Sequence, residues 1–231
     1  MEWRLPAFKG LRYTGEMYEI YSVDHSLYCA KLRLALRTKG VAWRDIPPTS
    51  DYLARVPTGN LPALVDGDLT LTDSEAIAEY LEEKHPSPAM LPTGLIPRAK
   101  CRELSRFHDT RLEPALRLLF SNVDPATRSG SEVEEAHAEI TKRLTALSVL
   151  LDQSPLPRDR LWLCDCGLIV TLEWLDIIER HSVLPALHWS GTVRSYRAQM
   201  AALPNVTQEL TSYRPRMYEW MQSKGAVERK P

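Results

Sequence analysis

Residues 17–23 read MYEIYSV, a short run rich in aromatic and β-branched side chains that predicts a strand. Ser26 then opens a helical run to Lys39, in which Cys29, Leu32 and Leu36, with Ala30 and Ala35 between them, supply an apolar face. Gly40 follows Lys39 and marks the helix end, because glycine takes the left-handed cap without steric cost. Residues 41–46 predict a second strand, stopped by Pro47 and Pro48, and a short helical turn fits around Tyr52. Residues 62–65 and 69–71 flank Asp66-Gly67-Asp68, a hairpin signal. Thr72 or Asp73 then caps a helix with Ile77, Tyr80 and Leu81 on its apolar face. The predicted order is β-α-β-(α)-β-β-α.

Beyond Pro86 the pattern changes. Pro86, Pro88, Pro92 and Pro97, with Gly94 among them, punctuate a connecting stretch. After it only helical spacing is found, over 98–120, 132–151, 167–180, 192–203 and 211–223, as in Leu144, Leu147, Leu150 and Leu151. The expected organisation is an N-terminal extension (1–16), an α/β module (17–86), a linker (87–96) and an all-helical domain (97–231).

Composition narrows the function classes without choosing one. The 231 residues carry 29 basic and 30 acidic side chains, a net charge of −1, and no basic block, so no electrostatic footprint for nucleic acid is expected. Hydrophobic residues at 44% and charged residues at 26% argue against disorder. No apolar run approaches the roughly 18 residues of a membrane span. No apolar secretory core stands in the first fifteen residues. Four cysteines make no disulfide framework and are expected to stay reduced, which suits a cytoplasmic protein.

Three segments carry candidate chemistry. At the first strand-to-helix turn, Ser26 either caps the helix or offers its hydroxyl where free N–H groups and the helix dipole favour an anion or thiolate. Asp24-His25-Ser26 is no hydrolytic triad, since adjacent side chains diverge. Ser26-Leu27-Tyr28-Cys29 has the spacing of a redox Cys-x-x-Cys, but serine replaces the attacking cysteine, and Cys29 reads as a small apolar residue. In Gly59-Asn60-Leu61-Pro62, a proline leading into a strand expected to be central points to a cis bond at Leu61–Pro62; a trans proline on an edge strand is the plainer alternative. Asp73-Ser74 either cap their helix or bind an amino-acid head group, the ammonium on Asp73 and the carboxylate on the Ser74 hydroxyl and N–H. Cys164-Asp165-Cys166 offers two thiols but no completing pair for a metal and reads as a turn before a buried helix, so no metal is expected.

Taken together, SLYCAKLRLAL, PTGNLPALVDGD and LTDSEAIAEYLEEKHP resemble, in order and spacing, the thioredoxin-like half of a cytosolic glutathione transferase of a bacterial-type serine class. The helical half is similar to that family in helix pattern alone. The resemblance implies a thioredoxin-like βαβαββα domain followed by an all-helical domain. It also implies glutathione as co-substrate, an electrophilic small molecule as second substrate, a homodimer, and a role in detoxification. It places Ser26 where the theta and zeta classes have a catalytic serine, and Tyr21 near the tyrosine of the alpha, mu and pi classes. Leu61 and Pro62 match the backbone clamp on the cysteinyl part of glutathione, and Asp73 and Ser74 match the pair holding its γ-glutamyl end. Asn60 stands where many members have a basic residue near the glycyl carboxylate, and His108 and Arg111 lie on the helix that lines the electrophile pocket. The departures are Leu27 for a common proline, Val56-Pro57 for Asn-Pro, and a short connection over 41–61 that implies a thin or mobile wall. Gly167-Leu168-Ile169-Val170 falls where a Ser/Thr-x-x-Asp capping box is usual. Two other functions stay open: a non-catalytic binding or assembly module, and a glutathione-dependent thiol reductase using Cys29.

Overall fold

Strand β1 (Met17–Tyr21) alternates its side chains across a sheet and so builds two apolar layers. Tyr18 and Ile20 face one side with Leu64, and Tyr21 faces the other with Ala63. β1 pairs in parallel with β2 (Ala42–Ile46), from Met17–Ala42 to Tyr21–Ile46, and antiparallel with β3 (Ala63–Asp66). β3 turns through Gly67, at φ +59°, into β4 (Leu69–Thr72), giving the order β2-β1-β3-β4. This computed structural model describes residues 17–226; the expected extension over 1–16 lies outside them.

Helix α1 (Leu27–Lys39) crosses between the two parallel strands and ends on Gly40 at φ +65°, as its sequence predicts. It is buried on two faces. Leu32 and Leu36 pack on the sheet with Val41 and Ile77, and Leu27, Ala30, Leu34 and Ala35 join the large core of the helical half. The single turn α2 (Tyr52–Arg55) covers the opposite face of the sheet, with Tyr52 and Val56 against Tyr21 and Ala63. The cap of α3 (Ser74–Lys84) is Asp73 and not Thr72, its carboxylate accepting the Glu75 and Ala76 N–H groups. The Leu61–Pro62 bond is cis, as expected, and so is Ser87–Pro88.

The proline-rich connection is held in place by buried charge. The Glu82 carboxylate accepts the Met90 and Leu91 N–H groups, while Lys39 pairs with Glu82 and donates to the carbonyls of His85 and Pro88. The helical half follows as α4 (Leu95–Phe107), a π-helical segment (His108–Leu112), α5 (Glu113–Arg117), α6 (Gly130–Asp152), α7 (Leu163–Arg180), α8 (Gly191–Ala201) and α9 (Pro204–Ser223).

Three sequence expectations are corrected here. The run over 98–120 is not one helix, because the π segment interrupts it. α7 starts at Leu163, so Cys164-Asp165-Cys166 is helical and not a turn. Its capping carboxylate is Asp165, which accepts the Trp162 N–H at 2.9 Å and makes the carboxylate half of a capping box, so the helix begins after Trp162 and not at Gly167. α9 begins at Pro204, seven residues before the predicted start, with proline in the first turn where its missing N–H costs nothing.

Gly167 has a different reason to be glycine. A Cβ there would lie 2.4 Å from Cε1 and 2.5 Å from Nδ1 of His108, whose ring is fully buried and hydrogen-bonded through both nitrogens. Helix propensity alone favours alanine by about 1 kcal/mol. Gly167→Ala is nevertheless expected to destabilise by about 1–3 kcal/mol through overpacking, read as a lower urea midpoint at unchanged slope.

Candidate active site

The ends of three chain segments converge on one cleft of about 490 Å³. The α1 N-terminus brings Ser26 and Tyr28, the loop before β3 brings Gly59, Asn60 and Leu61, and the α3 N-terminus brings Asp73 and Ser74. The fourth wall is Arg106, Asp109, Thr110 and Arg117. A smaller cavity of about 230 Å³ adjoins it, walled by Val23, His25, Leu27, Phe120, Trp174 and Trp220. Ser26, Tyr28 and Arg117 line both, so Ser26 stands where the polar cleft meets the aromatic pocket.

Ser26 is the N-cap of α1: its Oγ accepts the Cys29 N–H at 3.3 Å. Because the oxygen accepts, the hydroxyl proton is left to donate elsewhere, so capping and ligand binding are compatible roles. Cys29 is 1% exposed, and burial pushes its thiol up despite its hydrogen bonding to Ser26 and Val23. That thiol has neither the access nor the acidity of an exchange nucleophile. Tyr28 donates to Glu113 at 3.0 Å, and burial together with the Glu113 charge pushes its ionisation far up, so its hydroxyl is committed as a neutral donor.

The loop wall is held from beneath. Tyr52 donates to the Asn60 carbonyl, and its ring lies 5.0 Å from that of Tyr21. Burial, ahead of the charges of its neighbours, pushes the Tyr52 hydroxyl up to about 12. The wall expected to be thin or mobile therefore has a buried anchor. Leu61 lies outside the ladder, whose last pair with β1 is Tyr21–Ala63, and Pro62 is buried behind it. Asp73 holds φ +73°, a region that L-residues other than Asn and Asp rarely occupy. One of its carboxylate oxygens, Oδ1, makes both capping bonds.

Three predicted site residues stand elsewhere. Tyr21 is 4% exposed, packed with Tyr52, Val56 and Ala63, and lines neither cavity. His108 is fully buried, and Arg111 points to solvent and donates to the Thr110 carbonyl. At about 100° per residue Arg106, Thr110 and Arg117 share one helix face with Asp109 at its edge, and His108 falls on the opposite side, so His108 faces α7 while Asp109 and Thr110 reach the cleft. Arg106, Asp109, Thr110 and Arg117 share one face at three-, four- and seven-residue spacing, but that spacing does not say which face meets the cleft, and so they were missed.

Asp109 joins the cleft to a buried network. It accepts from Lys31 at 2.9 and 3.0 Å and from His108 Nδ1 at 2.7 Å, and Lys31 also pairs with Glu75 at 2.8 Å. Since the carboxylate takes the Nδ1 proton, Nε2 of His108 accepts from the Thr171 hydroxyl, 2.7 Å away. Burial holds His108 below its ordinary pKa, so the ring is neutral at pH 7. For Asp109, burial opposes the charge, but the His108 hydrogen bond and Lys31 outweigh it and hold the carboxyl down at about 2. Among the described residues no cluster of His, Cys, Asp and Glu suited to a metal is found.

A four-stranded mixed sheet with helices, followed by a helical half whose core wraps its first helix, defines a thioredoxin-like domain joined to an all-helical one. The family model for the glutathione S-transferase N-terminal domain matches residues 20–89. A glutathione S-transferase Z1 from Arabidopsis thaliana is 32% identical over 145 residues, 59% of this chain and 66% of that protein. A stringent starvation protein A homolog from Haemophilus ducreyi is 32% identical over 161 residues, 67% of this chain and 72% of that one. The theta-class glutathione S-transferase of Xanthomonas axonopodis pv. citri, solved with glutathione bound, superposes with a TM-score of 0.71 at 21% identity, covering 83% of this chain and 96% of that one. The chain belongs to the glutathione S-transferase family. No helix among the described residues is long and apolar enough to cross a membrane.

The Asp109 network has a pH signature. A carboxyl held at about 2 in the fold and near 3.8 when unfolded contributes stability that is full above pH 4 and lost as pH falls towards 2. The loss amounts to about 2 kcal/mol. Asp109→Asn is expected to flatten that part of the acid limb, measured by urea unfolding at pH 5, 4, 3 and 2.

Proposed function

We propose that the chain is a glutathione transferase that binds glutathione in the polar cleft and activates its thiol with Ser26. The observation that carries the reading is the position of Ser26 at the junction of the two cavities, where its cap of α1 uses the oxygen and not the proton. In this reading the γ-glutamyl ammonium sits on Asp73 and the adjacent carboxylate on the Ser74 hydroxyl and N–H. The cysteinyl backbone pairs with the N–H and C=O of Leu61, as an added strand would, with Pro62 shaping the turn. Asn60 stands beside the glycyl end. The cysteinyl sulfur then reaches Ser26 at the α1 N-terminus.

A thiol near pKa 8.5 is only a few per cent thiolate at neutral pH, and lowering it by two units takes about 2.7 kcal/mol of preference for the anion. A hydroxyl donor, free N–H groups and the helix dipole together reach that size. The thiol proton leaves to solvent, and the thiolate attacks an electrophilic carbon held in the pocket of Phe120, Trp174 and Trp220; as the S–C bond forms, the bond from that carbon to its leaving group breaks, and the leaving group departs to solvent with the electron pair. Arg117, lining both cavities, stands beside the reacting centre. No metal takes part in this reading. As part of the same proposal the chain works as a homodimer in the cytoplasm, in detoxification.

The reductase needs a reactive Cys29, which is buried. The non-catalytic binding or assembly module is the second reading: Tyr52 anchors the short connection over 41–61, but Asn60 still stands where a basic residue is usual, and the likeness to stringent starvation protein A homologs favours it.

Ser26→Ala is expected to lower the conjugation rate at saturating glutathione by about tenfold to a hundredfold while the glutathione Kd moves little. An unchanged rate sinks the assignment. Asp73→Asn separates capping from binding, because asparagine caps as well as aspartate. Calorimetry is expected to show glutathione affinity reduced more than about tenfold, with an unchanged melting temperature.

A further inference from the structure

The turn that carries Ser26 is gripped by the helical half. Tyr213 on α9 is 1% exposed, and its hydroxyl donates at 2.8 Å to the carbonyl of His25, the residue immediately before Ser26. The same oxygen accepts the indole N–H of Trp174 on α7 at 2.9 Å. An indole N–H only donates, so the direction of this relay is fixed: Trp174 to Tyr213 to the His25 carbonyl. The relay is buried, where each unmade bond is costly and each made bond is strong.

The rest of the turn is referenced to the same helix. The His25 ring stacks on Trp220 of α9, with centroids 5.9 Å apart and planes 20° from parallel. Behind Ser26, Glu209 of α9 takes Arg33 and Arg37 of α1, each at 2.7 Å. The orientation of the His25 carbonyl sets the peptide plane that leads into Ser26, and with it the direction in which the hydroxyl is presented. Productive placement of such a group is a matter of about 1 Å or less.

We infer that Tyr213 is a positioning residue for Ser26, holding the peptide plane ahead of its hydroxyl through a relay that starts at a wall of the aromatic pocket. Because Trp174 and Trp220 both line that pocket and hold this turn, the second-substrate site and the thiol site share one anchor. The inference rests on the role of Ser26 proposed above.

The test uses the full chain with glutathione bound and no electrophile, and follows the thiolate by its ultraviolet band as pH is raised. Tyr213→Phe keeps the ring and removes the donor; the midpoint is expected to rise by about half a unit to one unit. The kcat is expected to fall several-fold with KM for glutathione unchanged. The titratable and charged groups that face the thiol site, namely Arg33, Glu209, Lys224, the Asp24–Arg216 pair and His25 around the turn and Asp73, Arg106, Asp109 and Arg117 in the cleft, are the same in all variants, so they do not account for the shift. Ser26→Ala is expected to raise the midpoint too, and Tyr213→Phe on top of it to add nothing, the non-additivity of residues acting through one group. Tyr218→Phe, on the same helix, is the control and is expected to leave the titration unchanged. A wild-type midpoint in Tyr213→Phe, or full additivity in the double variant, overturns the inference while the Ser26 role stands. A wild-type midpoint in Ser26→Ala overturns both. Should Tyr213→Phe fail to fold, Trp174→Phe removes the first donor only, and a smaller upward shift is expected; no shift overturns the relay.

Discussion

Helix α1 has no solvated side, and the rest of the molecule is arranged around that constraint. One face meets the sheet through Leu32 and Leu36, and the other meets the helical half through Leu27, Ala30, Leu34 and Ala35. Every charged side chain on it must then find a partner, because an unpaired buried charge is far more costly than any contact it replaces. Lys31 takes Glu75 and Asp109, Arg33 and Arg37 take Glu209, and Lys39 takes Glu82 and two carbonyls. Such pairs add little net stability over an apolar core, but a single slip in packing strands a charge, so they select one relative placement of the two halves.

The site inherits that placement. The N-terminus of the helix both halves must cover is also where the polar cleft and the aromatic pocket meet. The π segment serves the same geometry. It turns Asp109 to Lys31 and the cleft at once and drives the His108 ring against the backbone of Gly167.

The capping residues also line the cleft at both helix starts that face it. Ser26 accepts a backbone N–H and keeps a proton to give, and Asp73 caps through one carboxylate oxygen at a backbone angle of +73°. Strain of that kind, of order 1–3 kcal/mol, persists where surrounding structure over-determines it. Here the β4–α3 junction and the cleft wall are the same few residues.

The local signals in the first half were sufficient because each depends on near neighbours: Gly40 and Gly67 for their positive φ, Asp73 and Ser26 for their side-chain caps, and alternation in β1 for the two faces of the sheet. Those signals located the α1 turn, the cis Leu61–Pro62 bond and the Asp73-Ser74 helix start, and so most of one side of the cleft. The other side was not legible. Tyr21 and Ser26 stand five residues apart across one turn, and only the packing of Tyr52 and Val56 shows that the tyrosine ring belongs to the far face of the sheet. Which face of the helix carrying His108 and Asp109 meets the cleft is decided by partners at positions 31 and 171, and whether the His25 carbonyl is held depends on a hydroxyl 188 residues away. Sequence sets local conformation through sterics and short-range hydrogen bonds. The phase of a helix and the partner of a buried polar group are decided when distant surfaces are desolvated together.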